Sequence, residues 1–178
     1  MATQCSEQKM PVDVFELAAR GERIEGEIAL ARLPRLAGSL LGTEGSLRYE
    51  VRGLVDADGY PGADLSLRGR LRLECQRCNA ALEFILERDT RFRFVHSEPE
   101  LDALPLEDDE VDVVVGSQTM DLPGWVEDEA ILSLPLVPRH ESCIPAEGSV
   151  DRAEPTAERP SPFAVLAALK GLAADGSS

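Results

Sequence analysis

A period of two runs through residues 65–94, interrupted at its middle by a pair of cysteines, and it limits this chain to few architectures. Leu65, Leu67, Gly69, Leu71, Leu73 and Cys75 alternate with Ser66, Arg68, Arg70, Arg72 and Glu74. Beyond the cysteines, Leu82, Phe84, Leu86, Phe92 and Phe94 take one side, and Glu83, Glu87, Arg91 and Arg93 the other. Successive side chains of a strand point to opposite faces, so each run reads as a strand with one apolar and one wet face. Joined through Cys75-Gln-Arg-Cys78, the two form an antiparallel pair with one solvated side. Arg88 and Asp89 break the apolar pattern, which predicts a bulge or a strand break at that point.

The flanking segments extend the same architecture. Leu47, Tyr49, Val51, Gly53 and Val55 alternate with Arg48, Glu50 and Arg52, and residues 56–62 supply a turn dense in Asp, Gly and Pro. Ile24, Gly26, Ile28 and Leu30 predict an earlier strand. A short helix over 12–20, with Val14, Leu17 and Ala18 on one side, closes at Gly21, and a second is expected around Leu36, Leu40 and Leu41. Residues 97–110 are acidic and aperiodic and read as a solvated loop, followed by a strand over 111–115. Asp121 and Pro123 open a further helix, with Leu122, Trp125, Val126, Ala130 and Leu132 on its apolar side. Glu127, Asp128 and Glu129 are expected near its positive end as a solvated face. Residues 134–138 then run extended.

These readings give an α+β core domain over residues 1–144: a twisted antiparallel sheet or partial β-barrel with peripheral helices. Residues 145–160 have the Pro, Gly, Ser, Thr and acid content of a linker. Over 161–174, Ser161-Pro162 starts an amphipathic helix whose stripe is Phe163, Val165, Leu166, Leu169 and Leu172. That stripe either docks on the core or enters a partner's groove.

The cysteines carry the sharpest chemical signal. Cys75-x2-Cys78 is followed, after 61 residues, by His140-x2-Cys143. Three thiolates and an imidazole are the ligand set of a closed structural zinc site, with a zinc-knuckle-like hairpin at one end. Two other readings stay open: a thiol–disulfide oxidoreductase pair at Cys75 and Cys78, and unlinked thiols. A redox C-x-x-C ordinarily opens a helix, whose N-terminus stabilises the thiolate; here both flanks read as strand. Cys5 stands apart as a free thiol.

Charge narrows the partners. The formal net charge is −15, but residues 48–93 hold nine arginines against eight acids, whereas residues 94–178 hold eighteen acids against four bases. Arg68, Arg70 and Arg72 line one face of a strand and form a candidate RNA-binding surface; the alternative is cross-strand pairing with Glu50, Glu74, Glu83 and Glu87. The acidic half suits a basic protein, with Glu127, Asp128 and Glu129 as candidate contacts. With two histidines and no nucleophile elbow, phosphate loop or His-Glu-x-x-His, catalysis has little material. No run of 18 apolar residues is present to span a membrane. The N-terminus also lacks a basic region followed by an apolar block, so a cytoplasmic home is expected, where thiols stay reduced.

Three segments carry a likeness. Leu73-Glu-Cys-Gln-Arg-Cys78, the stretch from Val126 through His140 with Cys143, and Pro162-Phe-Ala-Val-Leu-Ala-Ala-Leu-Lys170 together resemble the large ribosomal RNA subunit accumulation protein family (YceD-like). The resemblance covers roughly residues 70–172 and is loose in the N-terminal third. It implies a bacterial-type cytoplasmic factor for synthesis, processing or stability of 23S ribosomal RNA, and no catalytic residues carry over. The partners it implies are 23S RNA or a pre-50S particle, met directly or through a basic ribosomal protein. It also implies that Cys75, Cys78, His140 and Cys143 come together, with zinc in a structural role.

Overall fold

The computed structural model describes residues 10–104 and 111–143. The linker and C-terminal helix expected over 145–174, and Cys5, lie outside the described residues. The elements are β1 (Pro11–Val12), α1 (Val14–Arg20), β2 (Arg23–Ala29), a 3-10 turn (Leu30–Arg32), α2 (Pro34–Ala37), β3 (Ser46–Val55), β4 (Pro61–Glu74), β5 (Ala81–Val95), α3 (Glu98–Ala103), β6 (Val111–Val115), β7 (Met120–Asp121) and α4 (Leu122–Leu132). Strands β2-β3-β4-β5-β6 form one open sheet, and β1 pairs with β7 in a two-stranded ribbon. The sheet is antiparallel except at its last pair, where β6 runs parallel to β5 with Phe94 opposite Val114. A parallel neighbour needs a crossover of a dozen or more residues; the segment between the two strands supplies it. Part of that segment is helical, since α3 occupies a stretch whose sequence reads as loop.

The alternation is realised over the middle of the inner face, while Val55 at the end of β3 is exposed and Leu82 and Phe84 near the hairpin tip are only part-buried. Leu47, Tyr49 and Val51 of β3, Leu65, Leu67 and Leu71 of β4, and Leu86, Phe92 and Phe94 of β5 are all buried there. No bulge occurs at Arg88. The β4–β5 ladder holds one register from Glu74↔Ala81 to Gly62↔Arg93, with Leu67 opposite Arg88. Arg88 therefore occupies an inward-facing position, and the strand stays regular because its guanidinium reaches Glu129 of α4 at 3.0 Å. An ion pair, rather than an extra residue, accommodates the polar intrusion.

Three elements cover the inner face. In α1, Asp13 caps the first turn by accepting from the N–H groups of Phe15 and Glu16, and Gly21 ends the helix at φ 61°. The helix backbone lies so close to β3 that a Cβ at Gly53 would sit 2.1 Å from the Leu17 carbonyl oxygen. The region around Leu36 yields only a 3-10 turn and the single-turn α2, with Leu41 exposed. Trp125 of α4 packs edge-on against Phe92 and Phe94, with centroids 5.0 and 5.9 Å away.

Candidate metal centre

The two long strands end in a turn whose geometry follows from its residues. Cys75 N–H donates to the Ala80 carbonyl (2.9 Å) and Asn79 N–H to the Cys75 carbonyl (2.8 Å). Asn79 takes the left-handed conformation, φ 57°, which asparagine tolerates better than most residues. The turn thus holds Cys75 and Cys78 together at the tip of the hairpin. Downstream, α4 is closed by the Ser133 hydroxyl donating to the Glu129 carbonyl, and the chain then runs back along the hairpin. Gln76 N–H donates to the Pro138 carbonyl at 2.9 Å, so one backbone bond already ties this return segment to the turn.

That return brings the two halves of the motif together. The Cys75 and Cys143 sulfurs are 3.8 Å apart, and Cys78 Sγ is 3.4 Å from His140 Nδ1. All four donor atoms lie within 4.8 Å of one another. The other ring nitrogen, Nε2, donates to the Ala81 carbonyl at 3.1 Å, which fixes the tautomer and leaves the Nδ1 lone pair facing the sulfurs. A tetrahedral ion with metal–sulfur bonds of about 2.3 Å requires sulfurs about 3.8 Å apart. The donor set and its spacing fit such an ion, and four protein ligands leave no position for a reactive water.

Electrostatics at the cluster run the same way. Burial pushes the Cys75 thiol up, but backbone N–H groups of His140, Arg77 and Cys78 aimed at its sulfur outweigh that and bring it down to about 5. The Cys143 thiol is pushed up by burial and then by the neighbouring sulfurs of Cys75 and Cys78. Crowded sulfurs of like charge are what a cation relieves. Cys75 is fully buried, its pair sits in a strand-to-strand turn rather than at a helix N-terminus, and the three described cysteines are free.

The remaining candidate residues separate. Arg68 is committed within the sheet: it donates to both Asp89 carboxylate oxygens, at 2.8 and 2.7 Å, and to the Arg88 carbonyl. Arg70 and Arg72 make no ion pair among the described residues, and with Arg48 they line a shallow groove of about 630 Å³ that also carries Glu83 and Glu87. The acids of α4 do not form a solvated face, and they lie past its first turn. Glu127 is buried, accepting from the N–H groups of Arg35 (2.7 Å) and Leu36 (3.1 Å) and from Arg35 Nε (3.1 Å). Glu129 is buried against Arg88 and the Thr90 hydroxyl. Only Asp128 is exposed, paired with Arg35. Nothing local in the sequence separates Glu127 and Glu129 from Asp128, because their partners are 92 and 41 residues away.

Comparison with known proteins gives the family. The family model described as large ribosomal RNA subunit accumulation protein YceD matches residues 63–170, which takes in all four clustered ligands. The chain belongs to the YceD family. A Haemophilus influenzae protein named large ribosomal RNA subunit accumulation protein YceD is 34% identical over 173 residues, covering 91% of this chain and 97% of that protein. No solved structure matches the chain. No helix among the described residues is long and apolar enough to cross a membrane.

Proposed function

We propose that this protein is a cytoplasmic, non-enzymatic factor in biogenesis of the large ribosomal subunit, needed for accumulation of 23S ribosomal RNA. The observation that carries the reading is membership of the YceD family across most of the chain. In this reading zinc is bound by Cys75, Cys78, His140 and Cys143 and is structural. It clamps the return segment after α4 onto the tip of the β4–β5 hairpin, and support comes from the four donors lying within 4.8 Å. A filled four-ligand site stabilises architecture and leaves recognition to the surfaces around it.

Two recognition modes follow. RNA contact would fall to Arg70 and Arg72, with Arg68 already neutralised by Asp89. Contact with a basic ribosomal protein would fall to the acidic half of the chain, where Asp128 is the exposed member of its trio. The test is depletion of the protein in its own host, reading the 23S to 16S RNA ratio and the sedimentation profile of subunits. The expected result is a selective loss of 23S RNA and of large subunits, restored by the parent gene; an unchanged ratio overturns the reading. Affinity capture with and without ribonuclease separates the two modes, since only the RNA mode is nuclease-sensitive.

A further inference from the structure

Beside α4 the structure leaves an apolar groove of about 420 Å³, formed between the helix and the sheet-edge strand β6. Phe92, Val114, Met120 and Trp125 form its floor and walls, and Leu132 stands at its rim, 77% exposed. The sequence places Leu132 on the buried stripe of α4; the structure turns it outward. Fully exposed Leu136 and half-exposed Val137 follow it in the chain and continue the apolar character. A leucine held in water at the lip of such a groove lacks the burial that would stabilise it.

The charge of the groove selects what it takes. Three carboxylates line it: Asp121, Asp128 and Glu129. Asp128 is occupied by Arg35 and Glu129 by Arg88. Among the described residues no cation pairs with Asp121. Its Oδ1 is buried with no hydrogen-bond partner among them, and although the residue stands at the N-cap of α4, its side chain makes no capping bond. A buried carboxylate oxygen without a donor is costly, and the residue that carries it lines an apolar cleft whose volume falls within the roughly 300–1,000 Å³ of ligand clefts. No lysine, arginine or histidine among the described residues lines the groove to meet the phosphates of nucleic acid or anionic lipid.

We infer that this groove binds an amphipathic segment of a basic protein, taking its apolar side chains against Trp125 and Leu132 and a lysine or arginine donor at Asp121. The inference deepens the protein-mediated form of the function proposed above, and peptide binding tests it separately from any effect on RNA levels.

Trp125 is the single tryptophan of the chain and lines the groove, so its emission reports occupancy directly. The probe is a short peptide with leucine on one helical face and lysine on the other, titrated into the full chain at low salt. A saturable blue shift is expected, weakened about tenfold by Asp121→Asn, which retains a good capping residue. Leu132→Ser, at a site already open to solvent, weakens it similarly. No shift, an equal response to a leucine–glutamate peptide, or an equal response to polylysine overturns the inference. So does a red shift of Trp125 on Phe163→Asp/Leu166→Asp without peptide, since the occupant would then be this chain's own C-terminal stripe.

Discussion

Glu127→Ala is the substitution that most directly tests how α4 is held to the rest of the domain. The Glu127 side chain is 6% exposed and its carboxylate accepts three hydrogen bonds from one turn of α2: two from backbone N–H groups and one from Arg35 Nε. Leu36, which donates one of them, is fully buried, so no water replaces the lost acceptor. An orphaned buried donor costs about 1–3 kcal/mol. With the half-buried Arg35 N–H added, the expected loss is about 2–4 kcal/mol, on the order of 10 °C in Tm for a domain of this size. Glu127→Gln keeps an amide oxygen in the same place and recovers most of that loss. Asp128→Ala, one residue on, removes only a surface pair and leaves the midpoint near the parent's. Chemical denaturation at constant m-value separates the three variants. If Glu127→Ala and Asp128→Ala shift the midpoint equally, α2 is not suspended from Glu127 and this account of the α2–α4 contact is wrong.

Other outcomes follow from the same structure. Purified protein should carry one zinc per chain by native mass spectrometry; removing it should speed exchange of the Gln76 amide and of amides in 133–143 while those in the middle of β4 and β5 stay protected. Global unfolding on chelation would show that the sheet itself depends on the ion. Arg88→Ala leaves buried Glu129 without its cation and should cost about 2–4 kcal/mol, at the low end of buried-pair losses because Arg88 is half exposed; adding Glu129→Leu should recover part of it in thermal melts. Gly53→Ala forces a methyl onto the Leu17 carbonyl and should cost about 1–3 kcal/mol or more, with α1 amides the first to lose exchange protection. The hydrogen bond from Arg68 holds the Asp89 carboxyl below its ordinary range. A depressed carboxylate contributes stability above its unfolded-state pKa and loses it as pH falls through the folded one. Asp89 should therefore titrate in the acid range by carbon-detected NMR and move upward in Arg68→Gln; an unmoved midpoint removes Arg68 as the cause.

The strands of this protein are local statements, legible from the order of residues alone. Alternation at 47–55, 65–75 and 82–94 depends only on each residue's preference for water or core, and every one of those strands stands in the fold with the expected face inward. The four ligands could likewise be nominated from spacing and family likeness. Pairing between groups distant in the chain is settled only by the fold. A period of two cannot say that β6 lies parallel to β5, because direction is set by the crossover rather than by the strand. Nor can it separate a bulge at Arg88 from a regular strand whose arginine is neutralised by Glu129, since the neutralising charge arrives on another element. The acids 127–129 look alike in sequence and differ in place: two are sealed against Arg35 and Arg88, and one remains in water. Burial of a charge is decided by its partner, and a partner 41 or 92 residues away exists only once the chain has folded.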